Sequence, residues 1–166
     1  MDHNTEAGEV AIAIAKKIDT DPLDCLKKKI YTETSSYVGT PKDKRWPHPD
    51  SQITVLDVGK KDQQISIGIE FKREAEKSHG TLTALGQSLA YLDKGYDATI
   101  MLFPESYGKT LENPAKYVND ILDKFCDAAI GIFTYKKTSG GFEVTCNRKI
   151  NLANRKTSTS SSKGLK

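Results

Sequence analysis

Cysteine is scarce in this chain of 166 residues, and the three present, Cys25, Cys126 and Cys146, are odd in number and far apart. No Cys-x-x-Cys pair occurs, and His3, His48 and His79 are not spaced as zinc ligands, which speaks against a zinc site. The cysteines are expected to be reduced thiols in an intracellular protein. Apolar runs long enough to span a bilayer are missing, and Met1-Asp2-His3-Asn4 lacks the basic-then-apolar order of a signal peptide. The expectation is a cytoplasmic protein without a membrane partner. The chain has no Gly-x-x-x-x-Gly-Lys-Ser/Thr loop, no Ser-His-Asp arrangement and no cofactor fingerprint. These gaps count against a phosphate-loop NTPase, a triad hydrolase and a small-molecule α/β enzyme.

What is there suits one domain. Hydrophobic residues make up 37% and charged residues 28%, enough to bury a core without disulfides or metals. The expected division is a domain over residues 1–150 and a disordered basic tail or linker over 151–166, Ser/Thr/Lys-rich from about Asn154. The net charge of +3 hides an asymmetry: six basic residues and no acids lie from Arg148 onward. Without them the body holds 19 basic and 22 acidic residues, a charge of −3. A polyanion would therefore meet local patches such as Lys27-Lys28-Lys29, Lys42 to Arg45, Lys60-Lys61 and Lys72-Arg73.

Periodicity predicts a helix over 5–19, where Val10, Ile14 and Ile18 recur every four positions. A short helix follows Asp21-Pro22 through Leu26. Strands are expected over 29–38, 53–58 and 64–72, with a loop over 39–49 and a hairpin turn over 59–63. A helix over 80–94 should bury the stripe Leu82, Leu85, Leu89 and Leu92. The strand over 98–103 is apolar on both faces, as in a covered sheet. A helix over 114–126 and strands over 129–135 and 142–146 complete the order α-β-β-β-α-β-α-β-β, an α/β fold with a mixed sheet flanked by helices.

One triplet stands out. Glu70-Phe71-Lys72 is the single acid-x-Lys in the chain. Side chains two apart on a strand share a face. Ile65, Ile67, Ile69 and Phe71 then form an apolar face, while Glu70 and Lys72 stand side by side on the other. That pair suits a hard cation and a proton-handling lysine, and a cation needs a second carboxylate nearby. Paired residues in the preceding hairpin should have numbers summing to about 121–122. Asp57 then falls opposite 64 or 65, roughly 17–20 Å short of Glu70. Asp50 falls opposite 71 or 72 and is the candidate on distance, with its face left open by register.

Pro49-Asp50, Glu70-Phe71-Lys72 and the element order together resemble the PD-(D/E)XK, or restriction-endonuclease-like, nuclease superfamily. Gly86-Gln87-Ser88-Leu89-Ala90-Tyr91 is similar to the Gln-x-x-x-Tyr signature of its recombination-exonuclease branch. The resemblance covers about residues 5–135. It implies Mg²⁺-dependent hydrolysis of DNA, with Mn²⁺ able to substitute, by an endonuclease of a restriction, defence or repair system. Asp50, Glu70 and the Phe71 carbonyl would hold the ion, Lys72 would handle the attacking water, and Gln87 would orient water or phosphate. Glu6 or Glu9 is similar to an extra helical acid of some members, and Tyr91 would complete the helix signature. Arg73, Lys77, Lys44 and Arg45 would contact the DNA backbone. By helical spacing alone, Gln87 and Tyr91 lie on the side away from the leucine stripe, where a solvated face is expected. Glu6 and Glu9 read more simply as charges near a helix N-terminus. The competing function is a catalytically inactive nucleic-acid-binding or assembly module of the same fold. A homodimer, or a further domain or partner reached through the tail, would be compatible with either.

Overall fold

The computed structural model describes residues 3–27, 32–38, 46–57 and 63–154. Residues 155–166 of the expected tail, 39–45 of the expected loop and 59–62 of the hairpin turn lie outside the described residues. Leu152–Asn154 form a short 3-10 turn with Leu152 buried in the core, so the ordered chain runs past the boundary expected at 150. Along the chain come α1 (His3–Thr20), α2 (Pro22–Cys25), β1 (Thr32–Val38), β2 (Ser51–Asp57), β3 (Gln63–Phe71), α3 (His79–Asp93), β4 (Ala98–Pro104), α4 (Pro114–Phe125), β5 (Ile130–Thr138) and β6 (Gly141–Arg148). The six strands form one sheet in sequence order, antiparallel at β1-β2-β3 and β5-β6 and parallel at β3-β4-β5. The expectation of a mixed α/β sheet flanked by helices therefore holds. No helix among the described residues is long and apolar enough to cross a membrane.

Side-chain alternation divides the core in two. On one face, Ile53, Val55, Ile65, Ile67, Ile69, Phe71, Ile100, Leu102, Phe133 and Tyr135 pack under α1, whose Ala7, Val10, Ala11, Ile14 and Ile18 are all buried. Their recurrence every three or four residues makes one apolar stripe, which is why this segment is a helix. That helix meets both edge strands, β1 and β6, so the sheet curls around it. On the other face, Met101, Phe103, Ile130 and Ile132 pack against Ala84 of α3 and Ala115, Val118 and Leu122 of α4. Asn113 caps α4 by accepting the Lys116 N–H at 3.0 Å, ahead of Pro114.

Two expectations are corrected. The hairpin pairs Ser51 with Ile69 and Asp57 with Gln63, numbers summing to 120 rather than about 121–122. The connecting segment starts one residue earlier than the turn assumed, and Asp50 moves level with Glu70. The second correction concerns α3. Its sheet-facing residues are Gly80, Thr81, Ala84, Ser88 and Tyr91, while Leu82 and Leu89 are 49% and 42% exposed. The strand surface beneath it carries Gly68, Glu70, Lys72 and Thr99, so small and polar residues approach it better than leucines do.

Candidate active site

The site forms where β2 begins and β3 ends. The Asp50 N–H donates to the Ile69 carbonyl at 3.0 Å, extending the ladder by one residue. This fixes the face that register had left open: Asp50 and Glu70, directly opposite, point to the same side, toward α3. The Asp50 carboxylate accepts the Phe71 N–H at 2.8 Å and lies within hydrogen-bonding reach of the Glu70 carboxyl. The Lys72 N–H instead bonds the Leu102 carbonyl of β4 at 2.9 Å. In a strand, the N–H and C=O of one residue point to the same edge, so the Phe71 carbonyl is directed to the β2 side, where Asp50 sits.

Glu70 is 3% exposed and Lys72 5% exposed. Lys72 Nζ lies 3.1 Å from Glu70 Oε2 and 3.7 Å from Glu76 Oε1. Glu76 is held in turn by accepting the Arg73 N–H at 2.6 Å. Gly80, at the start of α3, leaves room for this lysine: a Cβ there would stand 3.5 Å from Lys72 Cδ and 3.3 Å from Glu76 Cβ. From below, Tyr135 donates its hydroxyl to the Lys72 carbonyl at 3.0 Å.

Burial, and then the charge of Asp50, push the Glu70 carboxyl up to about 7. Asp50 is also raised, mainly by burial, against the opposing pull of the Phe71 N–H. The two acids thus crowd one another, an arrangement that a cation between them would relieve. Among the described residues, no group of three or more His, Cys, Asp or Glu side chains could hold a metal ion. A hard cation bound here would meet two carboxylates and the backbone oxygen of Phe71, an all-oxygen set of the kind Mg²⁺ takes.

Tyr91, completely buried, donates to Glu70 Oε1 and also lies 3.0 Å from the His48 carbonyl. Burial, reinforced by the Glu70 charge, keeps its phenol protonated. Sequence periodicity had assigned this residue to a solvated face. The signal that pointed correctly was the four-residue spacing from Gln87. Gln87 sits half-buried one turn before Tyr91, and among the described residues its buried Oε1 has no hydrogen-bond partner. Glu76 was not singled out from sequence at all, because acids in an exposed turn are common.

Other expected participants are elsewhere. Glu6 is 3% exposed on the α1 side of the sheet, ion-paired to Arg73 at 2.6 Å and to Lys137 at 2.9 Å. Arg73, whose side chain is 37% exposed, thus bridges the end of β3 to α1. Glu9 lines a cavity of about 630 Å³ between α1 and the β5–β6 turn, away from Asp50 and Glu70. Lys77 is exposed in the turn before α3. Lys44 and Arg45 lie outside the described residues. Asp57 pairs with Gln63 at the far end of the hairpin, as expected from distance. No protein-family model matches this chain, and neither does any curated protein.

Proposed function

We propose that this chain is a Mg²⁺-dependent nuclease that hydrolyses DNA phosphodiester bonds in the manner of PD-(D/E)XK enzymes. One observation carries the reading: Asp50 and Glu70 sit within hydrogen-bonding reach, with the Lys72 ammonium 3.1 Å from Glu70, where two neighbouring interior strands of the sheet begin and end. The restriction-endonuclease-like fold is part of the same proposal. It draws support from an aspartate leading the second strand, the acid-x-Lys ending the third, and the Gln-x-x-x-Tyr helix that follows.

Asp50, Glu70 and the Phe71 carbonyl would hold the ion. When bound, Mg²⁺ polarises the scissile phosphate, offsets the charge that builds in the transition state and lowers the pKa of a bound water. Tyr91 fixes the orientation of the Glu70 carboxyl from the helix side. An ammonium carries three donors, so Lys72 can keep its contact with Glu70 and still present an N–H to a nonbridging phosphate oxygen or to the attacking water. The orphaned Gln87 oxygen would accept from that water. Lys77, with Lys44 and Arg45, would supply backbone contacts that add affinity without reading sequence.

The test is cleavage of plasmid and single-stranded DNA with Mg²⁺ or Mn²⁺, against a chelated control. Glu70→Ala and Lys72→Ala should each abolish cutting in a protein that stays folded by circular dichroism. Retained activity in either variant removes the proposed site. Wild-type protein that binds DNA but cuts neither substrate under several divalent ions points instead to an inactive binding or assembly module.

A further inference from the structure

Two thiols that take no part in this chemistry meet on the opposite face of the sheet. Cys25, fully buried at the end of α2, and Cys146, half-buried on β6, belong to the core under α1. Their positions are tied by backbone: the Ile150 N–H donates to the Cys25 carbonyl at 2.9 Å and the Lys27 N–H to the Ile150 carbonyl at 3.1 Å, around a parallel bridge between Leu26 and Ile150. The end of α2 is therefore laced to the segment that leaves β6, and the two side chains are hydrogen-bonded sulfur to sulfur.

We propose that Cys25 and Cys146 form a redox modification site, in which a peroxide converts the contacting thiols into a disulfide that staples α2 to the edge strand β6. The roles divide by exposure. Cys146 is the accessible sulfur, and the hydrogen bond from Cys25, more than any other influence, lowers its pKa. The same bond, followed by burial, raises Cys25. Thiolate is the attacking species. The Cys146 sulfur attacks one oxygen of hydrogen peroxide; the O–O bond breaks, hydroxide leaves and is protonated to water, and Cys146 becomes a sulfenic acid. Cys25 sulfur then displaces the sulfenic oxygen, its thiol proton leaving with that oxygen as a second water. Two thiols are oxidised by two electrons and one peroxide is reduced. The bridge closes a loop of about 120 residues, a span for which cross-linking restricts the unfolded chain strongly.

The experiment treats full-length protein with hydrogen peroxide, alkylates the remaining thiols and maps peptides by mass spectrometry, with melting temperature read alongside. The expected result is a Cys25–Cys146 linked peptide lacking two hydrogens, with Cys126 still alkylated. A melting temperature raised by several degrees should accompany it and return on reduction. Cys126→Ser should leave linkage intact and Cys146→Ser should abolish it. Oxidation that reaches Cys126 or the methionines while Cys25 and Cys146 remain separately alkylated overturns the proposal. So does linkage between protein molecules in place of the internal bridge. The outcome is independent of whether the chain cuts DNA.

Discussion

The hydroxyl of Tyr91 on α3 is donated to the carboxyl of Glu70 on β3, with the His48 carbonyl 3.0 Å from the same oxygen. One proton is thus shared between a carboxyl and the segment leading into Asp50. Tyr91→Phe removes it without opening a cavity. The expected cost is about 1–3 kcal/mol of stability, since Glu70 loses a buried partner. Cleavage should fall about ten- to hundredfold as the carboxyl loses its orientation. Thermal melting and cleavage kinetics on one preparation check both.

The two aspartates of the hairpin separate by position. Asp50→Asn should cripple cleavage, whereas Asp57→Asn, at the distal end of β2 opposite Gln63, should leave it within a few-fold of wild type. The reverse ranking in a side-by-side assay would show that the ion is not held at the β2 start.

A pH dependence follows from Glu70. Its folded pKa of about 7 exceeds the usual 4.5, so the folded protein binds more protons than the unfolded chain between these values. Without metal, stability should fall as pH rises from about 4.5 to 7, by on the order of 3 kcal/mol from this group. Mg²⁺ should reverse the trend by favouring the ionised pair. Denaturant melts with and without chelator across that range test it. A slope that is flat in chelator, or indifferent to Mg²⁺, would contradict the buried acid pair.

Glu6 behaves in the opposite sense. Burial opposes its charge, but Lys137 and Arg73 outweigh burial and hold its pKa below the usual value. Its stabilising contribution is present above about pH 4.5 and is lost as acid protonates it. Glu6→Gln should therefore destabilise the protein at neutral pH by about 1 kcal/mol, since both cations it faces are partly exposed and screened by solvent. It should also flatten the loss of stability in acid, as pH-dependent thermal melts would record.

Helix α3 offers a packing test. Leu89→Gln should change stability by no more than about 0.5 kcal/mol, because the leucine is largely exposed. Ala84→Leu should cost about 1–3 kcal/mol by overfilling a fully buried contact. Equal effects would mean that the leucine stripe faces the sheet after all.

Much of the architecture was legible because its signals were strong. The α1 stripe of Val10, Ile14 and Ile18 could face only a core, and α4 begins at Pro114 as expected. The alternation from Ile65 to Lys72 correctly separated an apolar face from a charged one. The orientation of α3 was misread because its leucines outrank Gly80, Thr81 and Ser88 in hydrophobicity, and periodicity assumes an apolar partner surface. The sheet beneath is polar, with Glu70, Lys72 and Thr99 buried against the helix. The pairing of Asp50 with Glu70 hung on the residue at which the turn starts, which residue types between the strands specify poorly. The Glu6–Arg73 contact joins residues too distant along the chain for any local pattern to announce.

Lys72 is pinned at both ends of its own structure. Its carbonyl is gripped by Tyr135 from the α1 side, and its ammonium by Glu70 and Glu76 from the α3 side. The residue thus runs through the sheet like a rivet, which holds the amine in its place. A disturbance at the Tyr135 ring on the far face would be transmitted straight to that nitrogen.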